Sequence, residues 1–116
     1  RKFLYQRIQV FIKIEESLLP KLQIFFENLA IHDVVDLSDD VLDSLHGVPL
    51  WIVEALRDTP HQAHSHYEQT FSWIDRVKQG QAVLTHLGLE ADYAELAEIC
   101  PPRTEPGVDG MVFQLD

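Results

Sequence analysis

The sequence predicts an α/β fold in which helices pack on a sheet. Two observations carry this: apolar runs of strand length alternate with helical-period segments from residue 34 onward, while the N-terminal third shows strand patterns only. A chain of 116 residues, 46% hydrophobic and 24% charged, has the composition of one globular domain.

Residues 7–14 set Ile8, Val10, Ile12 and Ile14 against Arg7, Gln9 and Lys13, the period of a half-buried strand. Leu22 to Phe26 and Leu29 to Val35 are two further strand runs, with Glu27-Asn28 between them as a hairpin turn. Ser38 then caps a short helix through Val41, Leu42 and Leu45, with Asp39 and Asp40 in its first turn and Gly47 closing it. Asp36, Ser38, Asp39 and Asp40 superficially resemble a calcium loop, but no turn glycine follows, so capping explains them. Leu50-Trp51-Ile52-Val53, bounded by Pro49 and Glu54, is continuously apolar, as a central strand covered on both faces would be.

The loop 57–66 breaks every periodicity and holds His61, His64 and His66. Ser65 and Glu68 have capping-box spacing. A helix follows, with Tyr67, Thr70, Phe71, Ile74 and Val77 on one stripe and Gln69, Ser72, Asp75, Arg76 and Gln79 polar. Residues 82–86 form another buried strand ending in His86. After Gly88, a helix puts Tyr93, Leu96, Ala97 and Cys100 on one face and stops at Pro101-Pro102. Met111 to Leu115 is expected to be the last strand.

Nineteen acidic against nine basic residues give a formal charge of -10, which disfavours a phosphate backbone as a free partner. The single cysteine, Cys100, excludes an internal disulfide and a zinc site of several thiolates; on an apolar stripe it reads as a structural thiol, in a reducing cytoplasm. No apolar run reaches the roughly 20 residues of a membrane span.

Ligands gather beyond the carboxyl ends of strands in α/β sheets, and Asp33, the histidine loop and His86 all fall there. Imidazole and carboxylate together suit zinc, manganese or iron. Each residue alone is ordinary: a single histidine or aspartate at a strand end is more often hydrogen-bonded than a ligand. His64, directly before the Ser65 cap, would also lie at the positive end of a helix, where an anion is attracted.

Asp33-Val34-Val35-Asp36, the strand at 50–53, Thr59-Pro60-His61-Gln62-Ala63-His64, the helix at 67–79, Leu84-Thr85-His86-Leu87-Gly88-Leu89-Glu90-Ala91-Asp92-Tyr93 and Val108-Asp109-Gly110-Met111 come in a telling order. Together they resemble the C-terminal half of a metallo-β-lactamase-fold hydrolase. The similar branch is the phosphodiesterase-like one, which includes the cyclic-phosphate phosphodiesterase of phosphonate breakdown and is related to the tRNA 3′-processing endonuclease. The resemblance runs from about Leu29 onward and covers residues 1–28 poorly, so 1–116 is expected to be one partial domain.

The resemblance implies a four-layer αββα sandwich, of which this chain supplies a mixed sheet with helices on one face. It implies two divalent ions, zinc or manganese, with Asp33 bridging them and His86 as a ligand. His64 would contact the scissile phosphate or protonate the leaving group, and His61 would be its companion. The family's His-x-His-x-Asp-His motif is absent from the sequence, and Glu15-Glu16 stands where a further histidine ligand is expected. A fragment or degenerate half is therefore expected, binding metal weakly or not at all by itself. Its substrate would be a small phosphodiester or ester. Its partner would be a second copy, in a homo-oligomer, or the missing N-terminal half. The competing readings are an inactive fragment that serves as a protein-association module, and an acidic domain whose histidines bind metal without catalysis.

Overall fold

The computed structural model describes residues 22–25, 29–89 and 91–113. The strand expected at 7–14 and the turn at Glu27-Asn28 lie outside them, as do Gln114 to Asp116. Five strands form one sheet in the order β1 (Leu22–Phe25), β2 (Leu29–Asp33), β3 (Leu50–Glu54), β4 (Gln81–Thr85) and β5 (Thr104–Pro106). β1 pairs antiparallel with β2, and the remaining neighbours are parallel, so the sheet is mixed. Three helices make the parallel crossovers: α1 (Asp39–Ser44), α2 (Tyr67–Val77) and α3 (Tyr93–Ile99).

The helices cover one face. Their buried residues Leu42, Trp73, Ile74, Val77 and Leu96 join Ala30, Trp51, Val53, Ala82 and Leu84 in a single cluster. The alternate residues Leu29, Ile31, Leu50, Ile52 and Val83 form a second cluster on the other face, packed by Met111 and Phe113. Period-two alternation sorts the strands between the two layers. All five residues of β3 are buried, as the apolar run at 50–53 required. Trp51 is fully buried and reaches across to the neighbouring strand, where its Nε1 donates to Nδ1 of buried His32 at 2.9 Å.

Local chemistry explains where the elements begin and end. Ser38 Oγ accepts from the Val41 amide, and Asp39 and Asp40 occupy the positive end of α1. Arg76 on α2 reaches Asp39 and Asp43 of α1 at 2.6 and 2.9 Å. Gly80 follows α2 where the chain runs against Pro49, and a Cβ there would stand 2.6 Å from the Pro49 carbonyl oxygen. Only glycine permits that approach.

Four expectations need correction. The N-cap of α2 is His66, without a side-chain cap bond, because the Ser65 hydroxyl is buried and donates instead to the Glu54 carbonyl at 2.8 Å. His64 is accordingly two residues before the cap. Gln79 is buried rather than on the polar face, its amide directed at the Arg103 carbonyl. On α3 only Leu96 is buried; Ala97, Tyr93 and Ile99 are exposed, and Cys100 is the half-buried cap residue. Burial and the nearby Glu105 charge push its thiol up, which suits an inert side chain. Finally, the fifth strand is Thr104–Pro106, whereas residues 111–113 pair with no strand, and Met111 and Phe113 pack on the helix-free face. Proline is tolerated in β5 because that strand has a ladder neighbour on one side only among the described strands.

Candidate metal centre

The parallel register brings three strand ends to one level. His32 pairs with Val53, and Glu54 pairs with Thr85, so Asp33, Glu54 and the residue after Thr85 emerge side by side. Asp33 and Glu54 have the parity of Ile31 and Ile52, the side away from the helices. His86 follows β4 with φ +57°, a left-handed conformation uncommon for a residue with a side chain. The strand exits are tied together by Ala55 N to Thr85 O at 3.0 Å and Gly88 N to Leu56 O at 2.8 Å.

His64 comes from the loop between β3 and α2. The base of that loop is closed by Leu56 N to Ser65 O and by Tyr67 N to Arg57 O. Ser65 and Thr70 both donate to the Glu54 carbonyl, at 2.8 and 2.7 Å, and so fix the loop to the end of β3. Higher up, the Arg57 guanidinium donates to the carbonyls of Thr59 and Pro60 at 3.1 and 2.7 Å, and His61 Nδ1 accepts the Ala63 amide at 2.9 Å.

The resulting cluster is tight. His86 Nδ1 lies 3.0 Å from Asp33 Oδ1 and 3.7 Å from Glu54 Oε2. His64 Nδ1 lies 2.7 Å from Glu54 Oε1 and 3.9 Å from Asp33 Oδ1. The rings of His64 and His86 meet edge to face at 4.4 Å, with His61 a further 5.1 Å from His64. Asp33, Glu54, His64 and His86 thus offer four donor atoms within 4.8 Å of one another. The four residues that the sequence singled out are together, three of them in mutual contact and His61 at the rim.

Glu54 is the member that sequence reading missed; it served there only as the boundary of an apolar run. It is 0% exposed, and neither carboxylate oxygen has a hydrogen-bond partner among the described residues. His64 Nδ1 approaches it closely but outside hydrogen-bond geometry, and is likewise unpartnered. A buried carboxylate in that state is costly unless positive charge enters beside it. Burial and the neighbouring His86 charge hold His64 below the usual histidine range, against the opposing pull of Asp33. Desolvation together with Arg57, His64 and His86 lowers His61 also. Two imidazoles beside two carboxylates make a donor set that suits a divalent cation of zinc or manganese type.

A cleft of about 470 Å³ lies elsewhere, between residues 56–59 and α3, lined by Leu56, Arg57, Tyr67, Glu95 and Leu96 among others. None of the four donors lines it.

A mixed sheet layered on one face by helices, with this cluster at the carboxyl ends of its parallel strands, is the architecture of the metallo-β-lactamase fold, of which the chain matches the C-terminal half. The solved structures similar to it include a diphosphatase of the PhnP family, at 22% identity and a TM-score of 0.77 over 81% of this chain and 38% of that one. A second is the metallo-β-lactamase fold protein YhfI from Bacillus subtilis, at 14% identity and a TM-score of 0.65 over 80% of this chain and 43% of that one. The chain therefore spans about two fifths of the length of these structures. No protein-family model and no curated protein matches the sequence.

Proposed function

We propose that this chain is the C-terminal part of a metal-dependent hydrolase that cleaves a small phosphodiester or related phosphate ester. The observation that carries the reading is the convergence of Asp33, Glu54, His64 and His86 at the level ends of adjacent strands. The name of one structural neighbour, a diphosphatase, supports a phosphate-containing substrate. Asp33 and His86 serve as metal ligands. Divalent cations bound there supply an activated water and neutralise phosphate charge.

The remaining groups manage protons. Glu54, fixed through its own carbonyl by Ser65 and Thr70, orients His64. His64 delivers a proton to the leaving oxygen as a general acid, the buried Glu54 carboxylate beside its Nδ1 favouring the protonated ring while the proton is held. His61 accepts the Ala63 amide at Nδ1, so its proton resides on Nε2, available to a phosphate oxygen. Among the described residues no helix is long and apolar enough to cross a membrane.

The test is hydrolysis of bis(p-nitrophenyl) phosphate by the natural full-length protein supplied with zinc or manganese. Asp33→Asn and His86→Gln should remove activity together with metal, and His64→Gln should lower kcat about 10²-fold or more with metal retained. Turnover unaffected by chelation or by these substitutions would defeat the proposal.

A further inference from the structure

The loop that carries His61 and His64 is pinned at its base by main-chain hydrogen bonds, Leu56 N to Ser65 O and Tyr67 N to Arg57 O. Above the base, the half-buried Arg57 side chain takes over. Its Nε donates to the Thr59 carbonyl at 3.1 Å and its Nη2 to the Pro60 carbonyl at 2.7 Å, so one planar fork bridges two consecutive peptide oxygens. The segment is already stiff, because Pro60 has a fixed φ and restricts Thr59 before it. The Pro60 carbonyl belongs to the peptide unit that leads into His61. Clamping it sets where the His61 side chain starts, and the Ala63 amide, donating to Nδ1 at 2.9 Å, sets how the ring is turned. Desolvation and the Arg57 charge both favour the neutral ring, the state in which Nδ1 can accept and the proton sits on Nε2.

We propose that Arg57 is a positioning residue: its bridge across the Thr59 and Pro60 carbonyls holds His61 with the Nε2 proton presented to a phosphate oxygen of the substrate. In its kinetic consequence this role rests on the phosphate-ester reading, whereas the clamp itself does not. Arginine commonly binds phosphate directly. Here Nε and Nη2, one forked edge of the guanidinium, already serve the loop. Lysine would keep the charge and lose the bridge, since an ammonium is a single point donor.

The natural full-length protein, supplied with zinc, is compared with its Arg57→Lys and Arg57→Ala variants in two ways. Nitrogen-15 NMR of the imidazoles should show His61 protonated on Nε2 in the wild type and as a mixture of tautomers in both variants, with the Ala63 amide exchanging at least about tenfold faster. With bis(p-nitrophenyl) phosphate, both variants should raise KM about tenfold while kcat stays within about twofold, the pattern of lost substrate binding. Arg57→Ala placed on top of His61→Gln should change KM no further, because the two residues act as one unit. An unchanged tautomer and unchanged exchange in both variants would overturn the clamp, and so would full rescue by lysine. Additive effects of Arg57→Ala and His61→Gln on KM would overturn it too, since Arg57 would then touch the substrate itself. A wild type that turns over no phosphate ester, beside variants that lose the tautomer, would defeat the hydrolytic reading while supporting the clamp.

Discussion

Trp51 Nε1 donates a hydrogen bond to Nδ1 of His32 across two parallel strands, both side chains being buried on the helix-covered face. An indole N–H can only donate, so the His32 nitrogen that receives it must be unprotonated.

This fixes a pH dependence of stability. Burial pulls the His32 pKa from 6.5 down to about 4. In the unfolded chain His32 gains its proton near pH 6.5, whereas in the folded chain it does not until about pH 4. Its contribution is fully present above pH 6.5 and is lost as the pH falls toward 4. The loss amounts to about 3 kcal/mol. Urea unfolding of the wild type and His32→Gln across pH 4 to 8 should give curves that converge as the pH falls; curves that stay parallel would refute the assignment.

Glu54 sets function against stability. Glu54→Gln replaces a buried carboxyl that has no hydrogen-bond partner among the described residues by a neutral amide, so the metal-free chain should gain about 1 kcal/mol, or roughly 4 °C in melting temperature. Calorimetry in a chelating buffer checks this, and a lower melting temperature would mean that His64 and His86 already compensate the carboxylate.

The Glu54 carbonyl accepts two hydroxyls, from Ser65 and Thr70. Ser65→Ala and Thr70→Val should each cost about 1 kcal/mol, because the other donor still satisfies the oxygen. The double variant should cost clearly more than the sum, since it leaves a buried carbonyl bare. A double-mutant cycle by denaturant unfolding measures the excess.

Gly80→Ala should destabilise by about 2 to 3 kcal/mol, because the new methyl meets the Pro49 carbonyl oxygen at 2.6 Å and backbone cannot swing aside. Gly47→Ala is the control: its Cβ would meet nothing within 4 Å, so only the strain of φ +78° remains, about 1 kcal/mol. Thermal melts of the two variants should rank in that order.

The layer order was legible in the sequence because periodicity reports burial directly. The run at 50–53 had to be central, and the stripe of α2 had to face a sheet. The fifth strand was not legible: Thr104–Pro106 is short and holds a proline, while Met111 to Phe113 look like a strand because they are apolar, and Met111 and Phe113 pack on the sheet face. Ser65 misled because its hydroxyl has a buried carbonyl to serve, which a local spacing rule cannot see. Glu54 was invisible as a site residue for a related reason, since its meaning lies in the pairing of β3 with strands distant in sequence. The expectation of self-association rests on Ile8, Val10, Ile12, Phe25 and Phe26, all of which except Phe25 lie outside the described residues.

The level emergence of β2, β3 and β4 has a consequence for folding. A slip of β3 by one position would put Val53 or Ala55 where Glu54 stands, and would exchange the residues presented to the two layers. Because the run at 50–53 is apolar on both faces, such a slip loses little burial and would be hard to detect by bulk stability alone. The carboxylates and imidazoles come into mutual reach only when three separate pairings are all in step. Cation uptake by this cluster would therefore act as a proofreading signal, registering correctly zipped molecules and passing over near-native ones with the same hydrophobic content.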